Sequence, residues 1–170
     1  MIRVIGICGA ARAGKTTFAD YMYEWLQARH MKPRMRPFAG PVKMIAGTMG
    51  WNGVKDDKGR RLLQLLGTEC GRECIGPDVW VDIWIHNIQV FVNTTDHYTI
   101  IADDVRFPNE AEAIRKLGGT IFRVTRPGCE PSDHPSERDD IAADHTIANV
   151  GTVEDLRTAA HAWAMHLAEA

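Results

Sequence analysis

A three-layer α/β fold, with helices on both faces of a mostly parallel five-stranded sheet, is the class the sequence predicts. Three observations predict it. Short apolar runs alternate along the chain with segments of helical length and helical apolar spacing, and repeated strand–helix crossovers imply parallel strands covered on both sides. The first crossover is bridged by Gly9-Ala10-Ala11-Arg12-Ala13-Gly14-Lys15-Thr16, which fits G-x-x-x-x-G-K-[ST] without substitution. The composition, 45% hydrophobic and 25% charged over 170 residues, suits one globular domain with a real core.

Taken in order, Arg3-Val-Ile-Gly-Ile-Cys8 reads as a buried strand and Thr17 to Arg29 as an amphipathic helix. Phe18, Met22, Trp25 and Leu26 share one face of that helix. Met35 to Phe38 is a short second strand. Leu62 to Cys74 and Val79 to Val92 have helical length; in the latter Trp80, Trp84, Ile88 and Phe91 recur at steps of three or four. Val90 to Val92 fits strand as well. Tyr98 to Ala102 is a strand running into Asp103-Asp104, and Asn109 to Leu117 a helix that Gly118-Gly119 stops. Thr120 to Val124 and Thr146 to Ala148 complete the strands. A final helix runs from Val153 to about Ala168, with Thr152 as N-cap and Asp155 at N3. The polar, Pro-rich interval Pro127 to Asp144 reads as an exposed loop within a single domain 1–170.

The net charge of −2 gives no basic field for nucleic acid or a membrane surface. The opening Met1-Ile-Arg-Val-Ile run is too short for a secretory leader, and no apolar stretch approaches the ~20 residues of a membrane span. Cys8, Cys70, Cys74 and Cys129 form no C-x-x-C pair, so they read as ordinary thiols of a reducing cytoplasm.

The strand–loop–helix context turns the glycine motif into a phosphate site. Gly9 and Gly14 let the backbone wrap an anion, while Ala11, Arg12, Ala13 and Thr17 lie on the loop and first helical turn. The helix N-terminus adds partial positive charge. Lys15 reaches the β- and γ-phosphates and Thr16 holds Mg²⁺, so the ligand expected is ATP with Mg²⁺. No Asn-Lys-x-Asp exists for reading guanine. An apolar strand ending in carboxylate suits a Walker-B position, and period-2 alternation puts Asp103 and Asp104 on opposite faces, so one of them orders the metal shell through water. Arg106 follows on the side of Asp104, with a fork that fits phosphate.

These blocks resemble the deoxynucleoside monophosphate kinases of tailed bacteriophages. The matching stretches, in order, are the phosphate loop, Phe38-Ala-Gly-Pro-Val-Lys43, Leu62 to Glu69 with Arg72, Gly76 to Trp80, Asp104-Val-Arg-Phe-Pro-Asn-Glu110, Arg123-Val-Thr-Arg126, His134-Pro-Ser-Glu137, and Ile147 to Asn149 with Gly151. The family often has Ser-Gly-Lys-Asp-Thr where this chain has Ala13-Gly-Lys-Thr-Thr17. The resemblance implies a P-loop kinase fold with an acceptor region at about 38–95 and a lid at about 127–144. It implies an acceptor wall of Phe38, Lys43, Gln64, Thr68, Glu69, Arg72, Asp78 and Trp80. Arg72 would grip the monophosphate and Trp80 would stack on a base, although Trp80 also falls on an apolar helix stripe and fits the core. Arg126 and Arg138 would bring lid charge, with His134 and Glu137 beside them. Asn149 and Gly151 resemble the adenine loop of small kinases. Lys15, Arg106, Arg126 and Asp104 form the catalytic set so implied, and host cytoplasm the location. Exposed Trp or Met side chains on the Val79–Val92 helix would mark a homodimer surface. Two other readings stand beside this one: a kinase of another acceptor such as dephospho-coenzyme A, which would not be expected to carry Asp-Val-Arg-Phe-Pro-Asn-Glu, and a regulatory module that hydrolyses ATP slowly without acceptor.

Overall fold

The computed structural model describes residues 2–92, 98–130 and 140–169. His134, Glu137 and Arg138 therefore lie outside the described residues. Five strands form one sheet in the order β2-β3-β1-β4-β5. They are β1 (Ile2–Cys8), β2 (Pro33–Met35), β3 (Tyr98–Ala102), β4 (Thr120–Thr125) and β5 (His145–Ala148), and every pairing is parallel.

Alternation along the strands sends successive side chains to opposite layers. Val4, Ile100 and Ile121 face α4 (Val79–Val92) and α5 (Pro108–Lys116), burying Trp84, Ile88, Ala111 and Ile114. Ile5, Ile101 and Phe122 face α1 (Lys15–Ala28) and α6 (Val153–Glu169), burying Phe18, Met22, Leu26 and Leu156. Thr152 and Asp155 cap α6 reciprocally: the Thr152 amide donates to Asp155 Oδ2 at 2.7 Å and the Asp155 amide to Thr152 Oγ1 at 3.2 Å. Among the described residues no helix is long and apolar enough to cross a membrane.

Two elements depart from the expected bounds. Strand β2 ends at Met35 rather than reaching Phe38. The Arg36 amide still donates to Ile101 at 2.8 Å, but Pro37 has no N–H to continue the ladder, and the Phe38 amide turns to Asp104 instead. The expected Leu62–Cys74 helix begins earlier, as α3 (Asp57–Gln64), where Asp56 accepts from the Gly59 amide at 2.8 Å. It then widens into a π-helix over Leu65–Glu73. Between β2 and α3, Pro41 starts α2 (Gly40–Thr48). Residues 90–92 are helical, and Trp80 and Trp84 are buried, so α4 presents no tryptophan surface to a second copy.

Candidate active site

Strand β1 delivers the chain into the phosphate loop beyond the carboxyl edge of the sheet. Gly9 has φ 126° and lies so close to β4 that a Cβ would sit 2.2 Å from the Val124 carbonyl oxygen. Gly14, at φ 105°, packs against the Asn149 side chain. Neither position tolerates an L side chain without strain. Asn149 Nδ2 donates to the Ala13 carbonyl at 2.9 Å and thereby ties the loop to the end of β5. Lys15 Nζ folds back onto the carbonyls of Gly9 and Ala10 at 2.8 and 2.7 Å. Burial, and then the neighbouring Arg106, hold its ammonium below the ordinary lysine value.

The adjacent carboxylates at the end of β3 have different surroundings. Thr16 Oγ1 donates to Asp103 Oδ2 at 2.9 Å. Asp104 points the other way, its two oxygens accepting the amides of Phe38 and Ala39 at 2.8 and 3.0 Å. Withdrawal from water pushes the Asp104 carboxyl up, against the pull of the Ala39 amide. Asp104, which the sequence reading places in the catalytic set, lines the cleft while its carboxylate holds the turn entering α2, and of the two carboxylates left open for the metal shell it is Asp103 that meets Thr16. The Thr16 hydroxyl and Asp103 carboxylate together are hard oxygen donors open to the cleft, a set that suits Mg²⁺, which keeps several of its waters.

These groups open into one cleft of about 380 Å³, whose far wall is α2, α3 and the π-helical segment. Phe38, Lys43, Gln64, Thr68, Arg72, Trp80 and Arg106 line it, as do Ala11 and Arg12 of the loop. Seven lining residues are cationic (Arg12, Lys15, Lys43, Lys55, Arg60, Arg72, Arg106) and three are acidic (Asp103, Asp104, Glu110). Within a chain of net charge −2 this cleft thus carries a local cationic excess.

The family model described as deoxynucleotide monophosphate kinase matches residues 52–159, the stretch that supplies the α3 and π-helical parts of the far wall, Asp103 to Glu110 and the end of β5. The chain belongs to that family. A protein of Acanthamoeba polyphaga mimivirus, named as a candidate deoxynucleotide monophosphate kinase, is 29% identical over 89% of this chain and 91% of its own length. The deoxynucleotide monophosphate kinases of Enterobacteria phage T4 and Escherichia phage RB69 are 34% and 30% identical, each over 57% of this chain. The match spans only 41% of either phage protein. A Mycobacterium tuberculosis APS kinase CysC variant superposes with a TM-score of 0.50 at 11% identity, covering 99% of this chain and 97% of that one. That likeness concerns the fold, which is the P-loop kinase fold.

Within this deoxynucleotide monophosphate kinase family member, several expected site residues are placed differently from their expected roles. Arg72 lines the cleft but donates to Glu110 at 2.6 Å and to the Pro77 carbonyl at 2.6 Å. Trp80 is buried, and its indole N–H donates to the Gly67 carbonyl at 2.7 Å, so little of the ring is open to the cleft it lines. Glu69 pairs with Arg61 at 3.0 Å, and Asp78 accepts from Asn109 at 2.7 Å; neither lines the cleft. Arg126 lines a separate recess of about 320 Å³ with Ala10, Cys129, Glu130 and Val150. Gly151 leaves room for the capping carboxylate of Asp155, which a Cβ would meet at 2.4 Å. Thr17 is half-buried on the first turn of α1 and lines neither space. Lys55 and Arg60 are cleft residues that the sequence reading missed. The signal was there in Asp56, an N-cap that moves the helix start upstream and puts Arg60 on it.

Proposed function

We propose that this chain transfers the γ-phosphoryl of ATP to a deoxynucleoside monophosphate, giving the diphosphate and ADP. The observation that carries the reading is the shared cleft: the phosphate loop and a cation-lined wall face one another across a single cavity. Family membership supports the acceptor class. The recess at Arg126 and Val150, beside the loop that Asn149 anchors, suits the base of ATP.

No general base is required. A phosphate monoester has a second pKa of about 6 and is mostly dianionic at neutral pH. The difficulty is to hold two polyanions in line, and positioning with charge neutralisation meets it. Lys15 would exchange its two carbonyl partners for phosphate oxygens. Thr16 and Asp103 would hold Mg²⁺, which when bound offsets triphosphate charge. Arg106, which lines the cleft with Lys15, would meet the transferring group, while Lys43 and Arg60 would hold the acceptor phosphate. Asp104 shapes the acceptor end through the amides of residues 38 and 39. The working compartment would be the cytoplasm of an infected host.

ADP formation with Mg-ATP against the four common deoxynucleoside monophosphates, ribose counterparts, dephospho-coenzyme A and a no-acceptor blank tests the proposal. Turnover confined to deoxynucleotides, or strongest with them, supports it. A rate equal to the blank with every acceptor makes the protein an ATPase and overturns it.

A further inference from the structure

We propose that Glu110, held in place by Arg72, is a positioning residue for the Arg106 segment, and that Arg72 grips no phosphate although it lines the cleft. This rests on the reading that the cleft takes a nucleoside monophosphate. Glu110 divides its carboxylate between two elements. Oε1 accepts from Arg72 at 2.6 Å, while Oε2 accepts the backbone amides of Arg106 at 2.7 Å and Phe107 at 3.2 Å. One side chain thereby fixes the turn from which Arg106 projects.

Arg72 is anchored as firmly. Its second terminal nitrogen donates to the Pro77 carbonyl at 2.6 Å, and its guanidinium lies 3.7 Å from the centre of the Phe107 ring. The two side chains are 9% and 4% exposed. The pair therefore joins the π-helical wall to the turn between β3 and α5.

Charge and solvation favour a fixed strut over a phosphate ligand. If Arg72 swung to a phosphate, Glu110 would remain as a buried carboxylate without its cation, which is strongly unfavourable. Burial and Asp104 both push the Glu110 carboxyl up, and Arg72 is one of the groups pulling it back down. Without Arg72 the carboxyl takes up a proton more readily and accepts less strongly from the two amides. A misplacement of about 1 Å in a group that meets the reacting phosphoryl lowers the rate about 10²-fold. Arg106 is such a group on the reading above.

The test is a double-mutant cycle of Arg72→Met and Glu110→Gln, with Arg72→Lys as the conservative variant. Each single variant is expected to lower kcat about 10²-fold, with little change in KM for the acceptor. The double variant should be no worse than the poorer single one, because both remove the same strut. Lysine should not restore kcat, since it lacks the planar fork whose two terminal nitrogens reach Glu110 and Pro77 while its face lies on Phe107. A large rise in acceptor KM at near-normal kcat, restored by lysine, makes Arg72 a phosphate ligand and overturns the proposal, as do single effects that multiply. Amide hydrogen exchange needs no substrate and separates this test from that of the function. In Arg72→Met the Arg106 and Phe107 amides should exchange at least about tenfold faster, with α1 unchanged. Unaltered protection there overturns the strut even if the kinase reading stands. If deoxynucleotide turnover is absent, the function fails and the exchange result still decides the strut.

Discussion

On the phosphate-loop side of the cleft the walls are largely main chain, tied down by the Asn149 side chain. Gly9 lies against the Val124 carbonyl, Gly14 against Asn149, and Lys15 rests on the carbonyls of its own loop. On the acceptor side the shape is held by side chains crossing between elements: Arg72 to Glu110, Trp80 to the Gly67 carbonyl, Asp104 to the amides of residues 38 and 39. On the proposed function, the difference matches what each side has to recognise. A triphosphate presents the same oxygens in every molecule, and a nest of main-chain amides suits it. An acceptor differs in base and sugar, and a wall built from side chains can be altered one residue at a time.

That contrast can be broken or sharpened in order of expected effect. Lys15→Ala is expected to lower kcat about 10³-fold while melting temperature stays near that of the wild type, because among the described residues the lysine's hydrogen bonds go to its own loop. Retained activity with a normal melt would remove the phosphate loop from the chemistry.

The acceptor side should carry a stability cost that grows with pH, opposite in sign to that of the depressed Lys15 on the loop side, whose cost shrinks as pH rises. Burial and the nearby Asp104 raise Glu110 from 4.5 to about 7, against the opposing pull of Arg72 and the amides of Arg106 and Phe107. A carboxyl raised on folding contributes its stability in full below the unfolded value and loses it as pH climbs through the folded one. Between pH 4.5 and 7 the wild type should thus lose on the order of 3 kcal/mol relative to Glu110→Gln. Urea titrations of both proteins across that range measure it, and a constant difference would contradict it.

Gly71→Ala tests the packing of the acceptor wall, because a Cβ there would sit 2.5 Å from the Trp80 ring. A loss of about 2 kcal/mol by denaturant titration and a higher acceptor KM, with ATP KM unchanged, are expected. Equal changes in both KM values would mean that the two sides are not separately built. Smallest is Thr152→Ala, which removes the hydroxyl that caps α6 and should cost about 1 kcal/mol in a thermal melt with kcat intact.

Much of the donor side was legible in the sequence because its signals are local. The phosphate loop is contiguous, and Thr152 with Asp155 forms a cap within four residues. Tyr98–Ala102 and Val79–Val92 kept the bounds that their apolar runs implied. The acceptor side was less legible because its partners are remote. Phe38 meets Asp104 across 66 positions and Arg72 meets Glu110 across 38, so neither the end of β2 nor the engagement of Arg72 could be read locally. The π-winding of Leu65–Glu73 has no periodicity of its own in a leucine-rich run, and it hid the extent of that helix. The two carboxylates at the end of β3 were rightly split between faces by alternation. Which of them meets Thr16 emerged only once the Phe38–Ala39 turn was in place.

The most direct test of a single cleft serving both donor and acceptor is the fate of the γ-phosphate of labelled ATP. With a deoxynucleoside monophosphate present, label should pass into the deoxynucleoside diphosphate, and little should appear as inorganic phosphate. Label recovered only as inorganic phosphate, at a rate that the acceptor does not change, would contradict the account.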